Sequence, residues 1–303
     1  MVRLGFVTIL LGAALAHPLA QQPVFRAETD LVTFAVSAAD RRGNFINDLT
    51  AADFEIFEDD KPQVIKYFAR GEGGAAPALH IGLLFDTSES MGQDIQLARS
   101  AAIRFLNTLP EAQDMTLVDF DTEVRVAKYG QQDFARVVER IRTRKPRGMT
   151  ALYDALGLYL DGADENQGRT ILVVFTDGGD TRSAIRLNDV VTLVRASHVT
   201  VYTVGFMENQ SGGRRGEHRV QLTQIAAEAG GESFFPSTME QVEKAYDRIL
   251  QQIRAQYHLG FVSTNAKPDG TWRKVEVKVK RPDLKDVKLQ TRKGYFAVYK
   301  KEG

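Results

Sequence analysis

The stretch Ile81-Gly82-Leu83-Leu84-Phe85-Asp86-Thr87-Ser88-Glu89-Ser90 decides the fold of this chain. Its first five residues are apolar or small and show no alternation, which is typical of a parallel-sheet strand covered by helices on both faces. The strand runs into Asp86, and the hydroxyls of Ser88 and Ser90 follow at intervals of two residues. Because open α/β sheets bind their ligands at the carboxyl ends of strands, we predict a binding site in this loop.

Two later stretches supply further oxygen atoms. Gly148–Leu156 places the Thr150 hydroxyl at the predicted start of a helix. Ile171–Gly178 is a second buried strand, and it ends on the Asp177 carboxylate. Hydroxyl and carboxylate groups are hard oxygen donors, and these stretches would gather them at one edge of the sheet.

Together, Asp86, Ser88, Ser90, Thr150 and Asp177 resemble the metal-ion-dependent adhesion site of the von Willebrand factor A family. The pattern of that family is D-x-S-x-S, a distant Thr and an Asp that ends a strand, and all five positions match. The resemblance implies that the two Ser and the Thr bind the ion directly, whereas the two Asp act through water. It also implies Mg²⁺ (or Mn²⁺ or Ca²⁺) as the cofactor, and a protein partner that brings a Glu or Asp carboxylate to a vacant coordination position.

The function implied by this resemblance is adhesion or protein–protein recognition without turnover. Asp154 and Asp180 lie close in sequence to the matched residues. They are therefore candidates for bonding to the metal ligands and orienting them. A helix-surface position for Asp154 and a turn position for Asp180 are the alternative explanations.

Four cations, Arg142, Arg144, Lys145 and Arg147, precede Thr150 directly. If Thr150 faces the ion, this loop lies along the rim of the same surface. Clustered positive charge of this kind speeds association with an acidic partner and weakens with salt. We therefore predict a partner rim here, the alternative being a solvated loop without a role in recognition.

Each matched residue also has an ordinary structural explanation. Asp86 could cap the following helix, and Ser88 and Ser90 could be turn residues. Thr150 could be a helix N-cap, and Asp177 with the glycine after it is a common turn dipeptide. The order of the residues on the expected elements favours the metal site.

An enzyme is the competing class of function. A buried strand ending in Asp also opens the haloacid-dehalogenase phosphatases, and Thr176–Asp180 is similar to their late metal-binding motif. Their D-x-D-x-T motif uses the first Asp as nucleophile and the second as general acid. Here Ser88 stands at the second position and cannot serve as that acid at neutral pH, and no P-loop or G-x-G-x-x-G motif is present. A non-enzymatic binding module is predicted, with a metal-dependent phosphatase-like hydrolase or a scaffold with a non-functional site as the alternatives.

The amino-acid composition argues against several other classes of function and of binding site. The 303 residues carry 39 Lys and Arg against 39 Asp and Glu, so a net charge of zero gives no attraction to nucleic acid. The absence of Cys excludes disulfides and thiolate metal sites. The five His residues show no ligand spacing, which argues against zinc.

The N-terminus resembles a secretory signal peptide. Arg3 precedes a charge-free run from Leu4 to Ala16, which is shorter than the roughly 20 residues that span a bilayer. Ala14-Leu15-Ala16 and Pro18-Leu19-Ala20 are candidate cleavage sites. We therefore predict that residues 1–20 are removed and that the protein is secreted or periplasmic, with no transmembrane segment after cleavage.

The predicted secondary structure of the rest of the chain changes twice, from β to α/β and back to β. Period-two apolar patterns at 27–70 and 257–303 predict β segments, and they flank a linker at 71–77 and a von Willebrand A domain at 78–256. We predict an α/β fold with a Rossmann-like, doubly wound and mostly parallel sheet, inserted in a small β-sandwich that both flanks form together. Within the α/β part, Met207 to Arg219 is polar and Gly-rich and is predicted to be a loop.

The flanks also resemble those of a bacterial group of secreted von Willebrand A-related proteins. The resemblance rests on a D-F-x-[IV]-x-E-[DN] stretch, here Asp53–Asp59, and a K-G-Y-F-A stretch, here Lys293–Ala297. These two motifs are less specific than the metal-site pattern. They support the architecture and say nothing about the partner.

Overall fold

The computed structural model describes residues 31–71, 76–108, 112–163, 166 and 168–298. The predicted signal peptide at 1–20 and the middle of the predicted linker lie outside the described residues. The described chain forms a β-sandwich and an α/β module. In this part of the chain no helix is both long and apolar enough to cross a membrane.

The first flank of the chain is entirely β, and the α/β module follows it. The flank contains β1 (Leu31–Ala39), β2 (Phe54–Glu58), β3 (Lys61–Gln63) and β4 (Ile65–Arg70). The strands of the module are β5 (Leu79–Asp86), β6 (Asp114–Phe120), β7 (Val124–Gly130), β8 (Arg169–Thr176), β9 (Thr200–Gly205) and β10 (Ser233–Phe234). Its helices are α1 (Ile95–Asn107), α2 (Phe134–Thr143), α3 (Leu152–Ala163), α4 (Leu187–Ala196), α5 (Gly212–Glu228) and α6 (Met239–Ala255). The second flank contains β11 (Tyr257–Val262), β12 (Trp272–Val279), β13 (Lys288–Gln290) and β14 (Gly294–Phe296).

The sheet of the α/β module has the strand order β10-β9-β8-β5-β6-β7. Its neighbouring strands run parallel except for the antiparallel β6–β7 hairpin at one edge. Strand β5 is buried along its whole length, with Leu83 and Phe85 in the core on one face and Leu84 in the core on the other. Helices α1, α2 and α6 cover the first face, and α3, α4 and α5 cover the second. The predicted doubly wound sheet is confirmed.

The two flanks of the chain build the sandwich together. Its sheets have the orders β13-β1-β11-β4 and β14-β12-β2-β3, so each contains strands from both ends of the chain. Phe34 of β1 lies opposite Leu259 of β11, and Ile56 of β2 lies opposite Val277 of β12. The buried side chains of both flanks form one apolar cluster, which confirms the predicted discontinuous sandwich.

The chain enters and leaves the α/β module at neighbouring points. The Gly71 amide donates to the Gln256 carbonyl at 2.7 Å. Gln256 separates α6 from β11, so the last helix of the module leads directly into the sandwich. The module is therefore inserted between two halves of the sandwich, while the exact domain boundaries stay a prediction.

A buried polar network explains the two flanking motifs. Glu58 and Arg273 are 2% and 3% exposed, and Glu58 Oε1 lies 3.4 Å from Arg273 Nη1. Tyr295 donates its hydroxyl to Glu58 Oε2 at 3.1 Å, and Ser263 donates to Glu58 Oε1 at 2.7 Å. Because a buried charge needs both a counter-ion and hydrogen bonds, the acidic residue of one motif and the Tyr of the other belong to one structural unit.

The predicted loop from Met207 to Arg219 is wrong in its second half. Helix α5 begins at Gly212 and includes the rest of that stretch. Its apolar contacts come from Leu222, Ile225 and Ala226. The first turns of the helix are solvent-facing and therefore carry no apolar periodicity that could have indicated a helix.

Phe34→Ala is expected to destabilise both flanks at once. Phe34 is 1% exposed and contacts the rings of Phe261 and Tyr295 from the other flank. The loss should be about 3–5 kcal/mol in the free energy of unfolding, measured by urea denaturation. Phe57→Ala on the outer face of β2 is the control and should cost much less. A Phe34 variant in which only the N-terminal flank becomes protease-sensitive would contradict a shared core.

Candidate functional site

The predicted metal ligands lie at the carboxyl edge of the parallel sheet. Asp86 is the last residue of β5, and Asp177 follows directly after β8. The two strands are neighbours, with Phe85 opposite Phe175. The fold therefore brings both carboxylates to the same end of two adjacent strands, as the buried runs before them predicted.

Asp86 is fully buried. Its Oδ2 accepts a hydrogen bond from Thr176 Oγ1 at 2.6 Å, and its Oδ1 accepts from the Ser88 amide at 2.9 Å. Burial, followed by the charge of Asp177, raises the pKa of Asp86 to about 7, against the lowering effect of the bonds from Ser88 and Thr176. A nearby cation would offset both causes and keep this carboxylate ionised.

The two serines present their hydroxyls side by side. Ser88 Oγ and Ser90 Oγ are 3.1 Å apart, with Ser88 buried and Ser90 exposed in the short 3₁₀ turn Glu89–Gly92. Thr87 fixes the start of this loop, because its amide donates to the Phe120 carbonyl at 2.7 Å. The loop thus turns both hydroxyls toward the same side.

Backbone bonds hold Thr150 on the adjacent loop. Its amide donates to Thr181 Oγ1 at 3.0 Å, and its carbonyl accepts from the Thr181 amide at 2.9 Å. The Glu89 amide donates to the Gly148 carbonyl at 3.1 Å, which joins this loop to the serine loop. Gly148 has a φ of +70°, and a Cβ there would collide with the Thr122 hydroxyl. Glycine is required at this position for both reasons.

An open cleft of about 910 Å³ lies above these loops. Ser90, Thr150 and Asp177 line it, whereas Asp86 and Ser88 lie buried at the same sheet edge. The structure thus places all five predicted residues on two strand ends and the joined loops between them. Oxygen atoms below an open cleft are suited to a cation that an outside ligand can reach.

Helix α5 forms one wall of the cleft, which sequence reasoning missed because this stretch was predicted to be a loop. Arg214, Glu217 and His218 contribute to this wall. His218 Nδ1 lies 2.9 Å from Gln210 Oε1, and Gln210 Nε2 donates to the Asp177 carbonyl at 2.7 Å. The helix is therefore connected to the Asp177 loop through one side chain.

Asp154 and Asp180 fasten the loop after β8 to the start of α3. Asp180 Oδ2 accepts from the Tyr153 amide at 3.0 Å and from the Ser183 hydroxyl at 2.5 Å. Asp154 Oδ1 accepts from the Ala184 amide at 3.0 Å. Asp180 also lines the cleft. The described bonds of both carboxylates are to backbone and hydroxyl groups that shape the site.

Two of the four predicted rim cations form ion pairs with Asp119, near the end of β6, and with Asp121, just after that strand. Arg144 Nε is 2.9 Å from Asp119 Oδ2, and Arg147 Nε is 3.2 Å from Asp121 Oδ2. Arg142 and Lys145 have exposed side chains. The Arg147 amide donates to the Thr87 carbonyl at 2.9 Å, so the basic loop does lie beside the serine loop.

Asp121 is the charged centre of this loop contact and is 3% exposed. Burial alone would raise its pKa, but hydrogen bonds from Arg125, the Glu123 amide and Arg147 lower the pKa to about 2. The ionised carboxylate therefore ties the β6–β7 turn to the basic loop.

The donor chemistry is that of an oxygen site. Across the described residues, no group of three or more His, Cys, Asp or Glu side chains is placed to hold a metal ion. The two carboxylates Asp86 and Asp177 are supplemented here by hydroxyls. A divalent ion held by these residues would stay electrophilic, because the donors carry few formal charges.

The doubly wound sheet carries Asp, Ser and Thr oxygens at its carboxyl edge, which is the edge where open α/β sheets bind their ligands. A model of the von Willebrand factor type A domain matches residues 80–248. The chain belongs to the von Willebrand factor type A domain family.

Individual proteins similar to the chain include solved structures and one bacterial relative. The PilB minor pilin from Streptococcus sanguinis is 14% identical, with a TM-score of 0.49 over 61% of this chain and 63% of that chain. A von Willebrand factor type A protein from Catenulispora acidiphila is 13% identical, with a TM-score of 0.49 over 82% of this chain and 74% of that chain. An uncharacterized protein of Synechocystis sp. is 26% identical over 186 residues, which are 58% of this chain and 41% of that protein. The match thus spans less than half of the cyanobacterial relative.

Asp121→Asn is expected to loosen the basic loop and change the acid sensitivity of the protein. The lowered pKa of Asp121 means that its ionised form stabilises the fold above pH 4, and this contribution is lost as the pH falls toward 2. The variant should lose about 1.5–3 kcal/mol of unfolding free energy at pH 7 and show a flatter stability curve from pH 4 to 2. Glu123→Gln, which removes an exposed carboxylate near Arg125, is the control and should leave that curve nearly unchanged.

Proposed function

We propose that this protein is a metal-ion-dependent adhesion or protein-binding module without enzymatic activity. The observation that carries the proposal is the convergence of Asp86, Ser88, Ser90, Thr150 and Asp177 at one sheet edge beside an open cleft. Membership in the von Willebrand factor type A domain family supports a binding role. The ligand set, the ion and the partner are parts of this proposal.

The residues fit a Mg²⁺-type ion. Two carboxylates near each other, one of them fully buried, are destabilised by burial and by mutual repulsion. A divalent ion removes both costs, and Ser88, Ser90 and Thr150 would hold it with their hydroxyls. Both oxygens of Asp86 already accept hydrogen bonds from the protein, which suits an interaction through water. The bound ion would supply a Lewis-acidic position for an outside carboxylate.

The charges around the cleft make the ion the main attraction for a partner's carboxylate. Among the described residues that line the cleft, four carboxylates besides Asp177 stand against one guanidinium, that of Arg214. These carboxylates are Glu89, Asp94, Asp180 and Glu217. An acidic group that enters this cleft without a metal meets repulsion from its walls, so partner binding should depend strictly on the ion.

The basic loop contributes to the approach of the partner and not to the metal site itself. Arg144 and Arg147 are occupied by Asp119 and Asp121, and no ion pair is described for Arg142 and Lys145, which are exposed as Arg147 is. Exposed charges of one sign raise association rates more than affinity. We assign these two residues to the partner rim.

Export is part of the same proposal and rests on the charge-free run that follows Arg3. An adhesion module needs access to partners outside the cytoplasm, and a cleaved signal peptide provides it. A hydrolase of the phosphatase type is disfavoured because Ser88 replaces the general acid. A scaffold with a non-functional site would keep the fold but bind no ion.

Thr150→Val is expected to weaken Mg²⁺ or Mn²⁺ binding by at least about tenfold, measured by titration calorimetry on the mature protein. The substitution removes a hydroxyl at nearly constant volume, and the described backbone bonds of Thr150 are kept. Thr192→Val on the exposed face of α4 is the matched control. Unchanged affinity in Thr150→Val, and in Ser88→Ala with Ser90→Ala, would exclude the metal site, while retained thermal stability would show that the fold is intact.

Reversal of Arg142 and Lys145 to Glu is expected to slow partner association several-fold at low ionic strength, with metal affinity nearly unchanged. The partner would first be captured from an envelope extract in Mg²⁺ and released with EDTA. Association rates would then be measured by surface plasmon resonance at two salt concentrations. Association rates that change with neither salt nor the charge reversal would show that the loop has no role in partner recognition.

A further inference from the structure

The helix start that forms one wall of the cleft has little packing of its own. No residue from 212 to 221, a range that the structure describes in full, is buried, and the first buried residue of α5 is Leu222. Gly212, Gly213 and Gly216 lie in these same turns, and only proline is less favourable in a helix than glycine. A helical segment with few buried contacts opens at a low free-energy cost. The order of this wall therefore depends on bonds to neighbouring loops.

One side chain joins the start of α5 to the Asp177 loop. Gln210 Nε2 donates to the Asp177 carbonyl at 2.7 Å, and Gln210 Oε1 lies 2.9 Å from His218 Nδ1. Because the amide nitrogen of Gln210 is the donor of the first bond, its oxygen accepts the second bond from His218 Nδ1–H. Asp177, which follows β8, and His218, in the second turn of α5, are thus connected through a single amide group.

His218 also packs directly on the backbone that follows Asp177. A Cβ placed on Gly178 would come within 2.9 Å of His218 Cβ, and one on Gly179 would come within 2.9 Å of His218 Cε1. Gly178 has a φ of +86°, a conformation that glycine adopts without strain. The two glycines therefore allow α5 to contact the backbone beside a proposed metal-site carboxylate.

Further bonds fix the segment that carries Gln210. Arg215 Nη2 donates to the Glu208 carbonyl at 3.0 Å and to the Gln210 carbonyl at 3.2 Å. Asn209 Nδ2 donates to Asp94 Oδ1 at 3.0 Å, directly before α1. The segment is consequently bonded both to the start of α1 and to the start of α5, and it presents the Gln210 amide in a defined position.

We propose that Gln210 and His218 are positioning residues for Asp177, and that a divalent ion bound at the site orders the first turns of α5 in return. The carbonyl and the carboxylate of Asp177 belong to one residue, so a bond that fixes the carbonyl restricts the position of the carboxylate. A bound ion would fix the carboxylate, and the amide of Gln210 would pass this restraint on to His218. This inference rests on the proposed metal site.

This coupling would regulate the surface that the partner meets. Arg214 and Glu217 belong to the same turns of α5 and line the cleft. Their positions would be fixed when the ion is bound, so that part of the partner surface forms together with the metal site. Because coupling between two sites is reciprocal, a change that orders the start of α5 must also raise the affinity for the ion.

Hydrogen–deuterium exchange of the mature protein, at saturating Mg²⁺ and in EDTA, measures the order of the helix start. We expect the amides of residues 216–221 to exchange at least about tenfold more slowly with Mg²⁺ bound. The amides of α4, which contributes no residue to the described lining of the cleft, should keep their rates. Gln210→Leu keeps the approximate size of the side chain and removes both of its bonds, so protection by Mg²⁺ should be lost in this variant.

Calorimetric titration of Mg²⁺ into the same proteins measures the positioning role. The affinity for Mg²⁺ should fall about tenfold in Gln210→Leu, because Asp177 loses the bond that fixes its backbone. Gln224→Leu replaces an exposed glutamine further along α5 and is the matched control. Its affinity should stay within about twofold of the native value.

A stabilised helix start tests the coupling in the opposite direction. A Cβ on Gly216 would meet nothing within 4 Å, so Gly216→Ala should fold normally. Alanine is favoured over glycine in a helix by about four- to fivefold in equilibrium constant, and the affinity for Mg²⁺ should therefore rise about two- to fourfold. Gly162→Ala makes the same change near the end of α3, where a Cβ also meets nothing within 4 Å. This control should leave the affinity unchanged.

Any one of three results would overturn the proposal. They are protection of residues 216–221 that does not depend on Mg²⁺, native affinity in Gln210→Leu, and no gain of affinity in Gly216→Ala over Gly162→Ala. Each of these results is obtained with proteins that bind the ion, so it would leave the proposed metal site standing. Absence of Mg²⁺ binding by the native protein would instead reject the metal site and this inference together.

Discussion

Desolvation of the Asp86 carboxylate is the constraint on which the site depends. A parallel strand covered on both faces has no solvent at its end, so a carboxylate there must be satisfied by the protein or by an ion. The Thr176 hydroxyl and the Ser88 amide provide part of this compensation. Those two bonds also fix the end of β8 and the start of the serine loop. The geometry of the site is thus a consequence of keeping one buried charge in place.

The carboxyl edge of the parallel sheet brings two carboxylates together. At the carboxyl edge, Asp86 and Asp177 lie close enough for the charge of one to raise the pKa of the other. At the amino edge, Arg169 begins β8 and Asp114 begins β6, so both signs of charge occur there. Parallel strands bring Asp86 and Asp177 together, because every carboxyl end falls on one side.

Much of the fold could be predicted because it follows from local patterns. The uninterrupted apolar runs before Asp86 and Asp177 indicate buried parallel strands, and the residue after each run must lie at the ligand-binding edge. Helix α5 was missed because its first turns face solvent and show no apolar period. Ion pairs between residues that are far apart in the sequence were also not predicted.

The basic loop shows why such ion pairs could not be predicted from the sequence. A run of cations before Thr150 looks like a solvated surface, yet Arg144 pairs with Asp119, which is fully buried on β6. Nothing local marks Asp119 as the partner, because the two residues meet only through the packing of α2 against the sheet. The burial of His258 also depends on residues far away in the sequence. Its position on the outer face of a sandwich strand predicts an exposed side chain, but the α/β module covers it and leaves it 8% exposed.

The insertion of the α/β module also sets the order in which the chain can assemble. The Tyr257 hydroxyl bonds the Ile46 carbonyl across 211 residues, and closing so long a loop in an unfolded chain is entropically unfavourable. Once the module has folded, the Gly71 amide and the Gln256 carbonyl are 2.7 Å apart, and the two flanks meet as if a tight turn joined them. During synthesis the first flank leaves the ribosome well before its partner strands exist. Strands β1 and β2 then expose unpaired edges for the time needed to make a whole module, which is when the nascent chain is most open to wrong pairing and to capture by chaperones.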